Sequence, residues 1–315
     1  MSVLNATKSG IEFRSFDDAG ERTVESTIAK FDRFPSGMRR GPRVATSGDA
    51  IVVTAIVGKP AKLVAWRSTD GGETWKMTAD AIGGEPDAVR EGLHDMAVGP
   101  DGTMAVVWLD MRNEGTEIWI AESADAGLTW SEARCFYKNP AGTVCECCHP
   151  TVRYGPGGKP IVLFRNSLDG NRDMYLTRGD GSAEKLGEGS WPLEGCPMDG
   201  GDFCVTDDGE IITAWRREGT VYLSRPGEPE QAIGEGSQPT IALFADGTPV
   251  VFYTGPAGLN AFVPGHGTFR LTSDGGSYPN AVQHGGSVAV ACESKSGSTV
   301  LEFANLAALK KVAIE

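Results

Sequence analysis

Hydrophobic positions in this chain come in short alternating runs. Ile51-Val52-Val53-Thr54-Ala55-Ile56-Val57 and Thr103-Met104-Ala105-Val106-Val107-Trp108 are typical. Between such runs stand polar, glycine-bearing turns: Pro100-Asp101-Gly102, Pro156-Gly157-Gly158, Asp207-Asp208-Gly209 and Ala245-Asp246-Gly247. No window carries a long apolar period of 3.6 residues. A period of two, bounded by D-G and G-G turns, predicts strands joined by hairpins and an all-β chain.

The runs themselves recur. Six units open with a short polar or proline-containing step, followed by a strand, a turn and a second strand. The openings are Arg40-Gly41-Pro42-Arg43, Leu93-His94-Asp95-Met96, His149-Pro150-Thr151-Val152, Gly201-Asp202-Phe203-Cys204, Gln238-Pro239-Thr240-Ile241 and Tyr278-Pro279-Asn280-Ala281. Units of roughly 36–55 residues holding about four strands each predict propeller blades. The last unit runs short, and Arg22-Thr23-Val24-Glu25-Ser26-Thr27-Ile28-Ala29 is expected to supply its missing outer strand and close the ring.

Two stretches share an eight-residue pattern, S-x-D-x-G-x-x-W: Ser68 to Trp75 and Ser123 to Trp130. The aspartate can accept N–H groups of its own turn, the glycine takes the positive-φ position, and the tryptophan folds back over the hairpin. With six such units, the pattern resembles the aspartate-box (BNR-repeat) propellers of the sialidase type. The resemblance implies a single six-bladed domain over residues 1–315, of four-stranded antiparallel blades. It places both boxes between third and fourth strands, on the face away from an active site. No break in composition marks a linker.

The chain has 315 residues with 40% hydrophobic content, enough for one large core or two ordinary ones. Its formal charge of −13 speaks against a nucleic acid or an anionic membrane as partner. No apolar run approaches the ~18 residues of a membrane span. Met1-Ser2-Val3-Leu4-Asn5 is not a signal peptide, so a periplasmic setting would need a leader outside these residues, and a cytoplasmic one stays open. The expected partner is a small molecule.

Seven cysteines are present. Cys145, Cys147 and Cys148, with His149 beside them, lead into the innermost strand of the third unit. Cys196 and Met198, in Gly195-Cys196-Pro197-Met198-Asp199, lead into that of the fourth. His94 opens the second unit. Neighbouring blades would bring these seven side chains to one rim as a soft-metal site. Thiolate and thioether ligands select Cu(I), with zinc as the alternative, and Met198 favours copper. A C-x-C-C loop paired with G-C-P-M also resembles a cysteine-bearing branch of the sialidase-like propellers. Disulfide stapling, with Cys145 or Cys147 bridged to Cys196, competes with this reading. Cys145-x-x-Cys148-His149 also spells a haem-attachment motif, but Pro150 beginning an inner strand leaves little room for a porphyrin. Cys135, Cys204 and Cys292 are expected to be small buried apolar groups.

The same resemblance implies sialidase chemistry if its parts are present. Arg40 and Arg216 fall where carboxylate-holding arginines would stand, Tyr278 where the nucleophile would stand, and Asp202 near its carboxylate partner. No third arginine appears in Val251-Phe252-Tyr253-Thr254, and no aspartate for general acid work in Ile56-Val57-Gly58-Lys59. Asp110, Arg112, Arg165, Arg172 and Asp173 remain on that face, as interblade ion pairs or as a small-molecule pocket. Three functions follow in order: copper binding supporting redox chemistry on a small ligand, glycoside hydrolysis, and non-catalytic binding by a stapled propeller.

Overall fold

The computed structural model describes residues 2–17, 20–35, 37–294 and 297–314. Among them strands follow one another in seven sheets, each built from consecutive strands of the chain. The first holds β1 (Ser2–Thr7), β2 (Gly10–Phe16) and β3 (Arg22–Lys30); the second holds β4 (Arg43–Ser47), β5 (Ala50–Val57), β6 (Lys62–Ser68) and β7 (Lys76–Ile82). The third is β8 (His94–Val98), β9 (Met104–Asp110), β10 (Glu117–Ser123) and β11 (Arg134–Tyr137). The fourth is β12 (Thr151–Tyr154), β13 (Pro160–Arg165), β14 (Met174–Thr177) and β15 (Glu184–Lys185). The fifth is β16 (Gly201–Val205), β17 (Ile211–Arg217), β18 (Thr220–Ser224) and β19 (Gln231–Glu235). The sixth is β20 (Ser237–Leu243), β21 (Pro249–Gly255), β22 (Gly258–Val263) and β23 (Gly267–Arg270). The seventh is β24 (Ser277–His284), β25 (Ser287–Ser294) and β26 (Gly297–Phe303), followed by the helix α1 (Leu306–Val312). Pairing is antiparallel in register with the hairpin turns.

The expectation of six sheets is therefore corrected to seven, and the N-terminal segment does not complete the last one. Arg22–Lys30 pairs with β2 in a sheet of its own. The reason lies in the first thirty residues, which carry their own tight turn and their own apolar face. Gly10 sits where a Cβ would meet the Ala29 carbonyl at 2.5 Å. Ile11, Phe13 and Ile28 are buried against Val53, Ala55, Val64 and Trp66 of the second sheet. Each fully buried side chain of that size contributes about 1.5–3 kcal/mol, more than edge pairing with a distant strand would offer.

The chain divides into two compact units, residues 1–162 with 177–183 and residues 163–176 with 184–315. In the first, apolar side chains pack between successive sheets: Ile56, Leu63, Val106 and Trp108 form one such layer. In the second, Ile212, Ala214 and Val221 pack against Ile241, Val251 and Tyr253, and Leu309 of α1 closes the last layer with Phe252 and Phe303.

The two S-x-D-x-G-x-x-W turns join β6 to β7 and β10 to β11, the third and fourth strands of their sheets. Their bonding is the same. Asp70 accepts the Thr74 N–H at 3.0 Å and the Ser68 hydroxyl at 2.7 Å; Asp125 accepts the Thr129 N–H at 2.8 Å and the Ser123 hydroxyl at 2.8 Å. The Ser hydroxyls accept the Gly72 and Gly127 N–H groups at 2.9 Å.

Candidate thiol site and arginine-braced loop

The cysteine-bearing loop runs from β11 to β12 and is fastened at both ends. Before the cysteines, the Val144 N–H donates to the Thr116 carbonyl at 3.0 Å, and the Thr116 N–H to the Thr143 hydroxyl at 3.1 Å. Here a glycine is required: a Cβ on Gly115, at φ +86°, would lie 1.9 Å from the Gly142 carbonyl oxygen. After the cysteines, the Val152 N–H donates to Asp95 Oδ2 at 3.0 Å. Asp95 also holds Arg43 at 3.2 Å and Arg153 at 3.1 Å.

Between these anchors Cys145, Cys147 and Cys148 converge, with their Sγ atoms all within 4.8 Å of one another. Cys145 Sγ lies 3.1 Å from Cys148 Sγ and 3.8 Å from Cys147 Sγ. Cys145 and Cys148 are buried and Cys147 is half-buried. No disulfide joins any of the seven cysteines in this structure. The hydrogen bond with Cys147 and then burial push the Cys145 thiol up to about 12, against the opposing bond to Cys148. An ion bound there must displace that proton. Three sulfurs about 2.3 Å from one ion in a trigonal plane stand about 4 Å apart, close to what this loop holds.

His149 follows in the chain, buried, and its imidazole is not part of that group. His94 is wholly buried and shares a 3.2 Å hydrogen bond with the Thr54 hydroxyl through Nε2. Its Nδ1 has no partner among the described residues. Burial, then the charge of Arg43, lower its pKa to about 3, so it is a neutral packed imidazole at ordinary pH. Cys135 departs from its expectation. It lies exposed on β11, the outer strand of its sheet, while Cys204 and Cys292 are buried.

Cys196 and Met198 lie in the second unit and are both exposed, Met198 at φ +54°. Three arginines hold their loop by alternate carbonyls. Arg172 Nε reaches Gly195 O at 3.5 Å, Arg216 Nη2 reaches Pro197 O at 2.8 Å, and Arg165 Nε reaches Asp199 O at 3.0 Å. Arg165 is 1% exposed and also donates to the Arg172 and Arg216 carbonyls at 2.6 and 2.8 Å. Both Arg165 and Arg216 stand 5.2 Å from the Trp191 ring centre. Asp199, given no role by the sequence pattern, ties the group together: Oδ2 accepts Arg216 Nε at 2.7 Å and the Gln238 N–H at 2.8 Å, while its buried Oδ1 has no partner among the described residues. Gln238 Oε1 in turn accepts the Tyr278 N–H at 2.9 Å. The D-G-G step at Asp199 was the one available signal.

The other candidates have fixed positions. Asp202 is buried and accepts the Thr240 hydroxyl at 2.7 Å and the Ile241 N–H at 3.1 Å. It therefore clamps the fifth sheet to the sixth, as Asp95 clamps the third to the fourth strand set. Arg40 donates to the Glu91 carbonyl at 2.6 Å. Arg112 grips the buried Asp110 carboxylate at 2.9 and 2.7 Å and lies 3.8 Å over the Trp119 ring. Asp173, buried, accepts the Trp191 N–H at 2.8 Å. Tyr278 is half-buried at φ +51°.

Solved structures of like fold are β-propellers and related enzymes. An α-L-arabinanase from Penicillium chrysogenum is 14% identical, with 86% of this chain and 93% of that one covered and a TM-score of 0.56. The α-L-arabinofuranosidase Arb93A from Fusarium graminearum is 13% identical over 86% of this chain and 93% of its own, at 0.57. The β-propeller domain of a Pyrococcus furiosus protease is 12% identical over 96% and 90%, at 0.55. No protein-family model and no curated protein sequence matches the chain. At these identities the likeness defines the fold: an all-β propeller of antiparallel blades, seven in number. To this fold the chain adds a three-thiol group able to hold a metal ion.

Proposed function

We propose that Cys145, Cys147 and Cys148 bind one soft metal ion, copper(I), and that the propeller is the scaffold of that site. The observation that carries the proposal is the convergence of three sulfurs within 4.8 Å on a loop fixed at both ends. Thiolates prefer Cu(I), and two of the three sulfurs are shielded from water. Zinc fits less well, since it wants a fourth ligand and His149 is outside the group. Anaerobic titration of the reduced chain with Cu(I), against a chromophoric chelator, is expected to give one equivalent bound with thiolate charge-transfer absorption. Cys145→Ser and Cys148→Ser are each expected to weaken binding at least ~100-fold, about 2.7 kcal/mol. Equal copper retention by these variants, or none by the native chain, overturns the proposal.

One observation favours a second function, glycoside cleavage. Four of the nine described non-glycine residues with positive φ, Met198, Glu218, Gln238 and Tyr278, fall on segments bonded to Asp199, Arg216 or Gln238. Strain of that kind collects where a site is held ready. Two of the fold's neighbours act on arabinose-containing substrates. The Asp202 carboxylate is committed to interstrand bonds, so copper binding stands first. Turnover of a fluorogenic sialoside or arabinofuranoside that disappears in Tyr278→Phe is expected on this second reading. Its absence in the native chain removes it.

A further inference from the structure

The three thiols differ in ways that metal binding does not require. Cys145 and Cys148 are 3% and 1% exposed and 3.1 Å apart, while Cys147 is half-buried and 3.8 Å from Cys145. A disulfide is about 2.05 Å long, so Cys145 and Cys148 need approach by about 1 Å. A bridge between the adjacent Cys147 and Cys148 would be strained. Of these three, only Cys147 offers a face to an external reagent.

We infer that Cys145 and Cys148 are a dithiol–disulfide couple, and that Cys147 is the port through which it exchanges with low-molecular-weight disulfides of the glutathione class. The Cys147 thiolate attacks one sulfur of the external disulfide, forming a mixed disulfide and expelling one thiolate. Cys145 attacks the Cys147 sulfur, its proton leaving with the second expelled thiolate, and a Cys145–Cys147 bridge forms. Cys148 then attacks the Cys145 sulfur and returns Cys147 as a thiol, the proton passing from Cys148 to Cys147. Two protein thiols are oxidised, one external disulfide is reduced to two thiols, and all atoms balance. Each transfer runs between neighbours already within 3.8 Å. The consequence for metal rests on the copper proposal: the oxidised loop keeps one of three donors, so copper is released on oxidation.

The test uses the full reduced chain in graded glutathione buffers, with acid quench, alkylation and peptide mapping. A Cys145–Cys148 bridge with Cys147 alkylated is expected as the main product. In Cys147→Ser and Cys147→Ala, bridging by glutathione disulfide is expected to slow at least ~10-fold, while the glutathione ratio at half-oxidation moves little, because only the port is lost. Circular dichroism confirms that these variants keep their sheets. Cys145 and Cys148 alkylatable at every ratio, or variants reacting as fast as the native chain, overturn the inference. Cu(I) titration run in parallel separates the two proposals. A chain that bridges but takes no copper overturns the metal proposal alone. One that takes copper but never bridges overturns this inference alone.

Discussion

Arg165→Met is expected to lower stability by about 3–5 kcal/mol, read as a shift of the urea midpoint followed by circular dichroism. Methionine fills a similar volume, so the loss comes from hydrogen bonds. Arg165 is 1% exposed, and its guanidinium serves the Asp199, Arg172 and Arg216 carbonyls. Removing it leaves three backbone acceptors without their donor, each at about 1–3 kcal/mol before relaxation. Arg165→Lys keeps the charge but not the planar fork, and is expected to fall between native and Met. A loss below ~1 kcal/mol for Arg165→Met would mean that the three carbonyls find other donors.

Stability is also expected to fall as pH drops from about 6.5 toward 3, with His94 as the largest single source. Folded His94 stays neutral down to about 3, because burial and the charge of Arg43 disfavour the imidazolium, while the unfolded chain takes up the proton near 6.5. The unfolded state therefore binds more protons throughout that interval. Stability is intact above 6.5 and declines by about 1.4 kcal/mol per pH unit below it, to about 4 kcal/mol near the lower end. His94→Gln, which keeps a partner for the Thr54 hydroxyl, is expected to flatten the slope between pH 6.5 and 4.5. Carboxylates enter only at the lower end of that window, where the contribution of Glu230, held down to about 2, starts to be lost, so the comparison is read above about pH 5.5. Asp125 is held down to about 2 by the Thr129 hydroxyl and N–H, so stability tied to it is present above the ordinary carboxylate range and is lost only below it. Equal slopes for His94→Gln and native chain would rule His94 out.

How much of this was legible in the sequence depends on the reach of each interaction. The repeated turns were read correctly because their bonds are local: Asp70 with Thr74, Asp125 with Thr129. The three-thiol group was readable because its members occupy four consecutive positions. The sheet count was missed because the first strand of the first sheet carries no pattern, although Ile11-Glu12-Phe13-Arg14 of its middle strand alternates. Ser2–Thr7 is exposed or half-buried throughout, so no alternation announces it. The role of Asp202 was missed because its partners, Thr240 and Ile241, stand 38 and 39 positions away. Asp199 escaped for the same reason, its backbone donor being Gln238.

Every sheet is assembled from an unbroken stretch of chain, and no described strand of the last sheet pairs with one from the first. Pairing therefore never waits for synthesis to finish. During translation each sheet can form its full hydrogen-bond ladder once its own last strand has emerged. The first sheet, with Ile11 and Phe13 already turned toward the second, gives that second sheet an apolar face to pack on as soon as it forms.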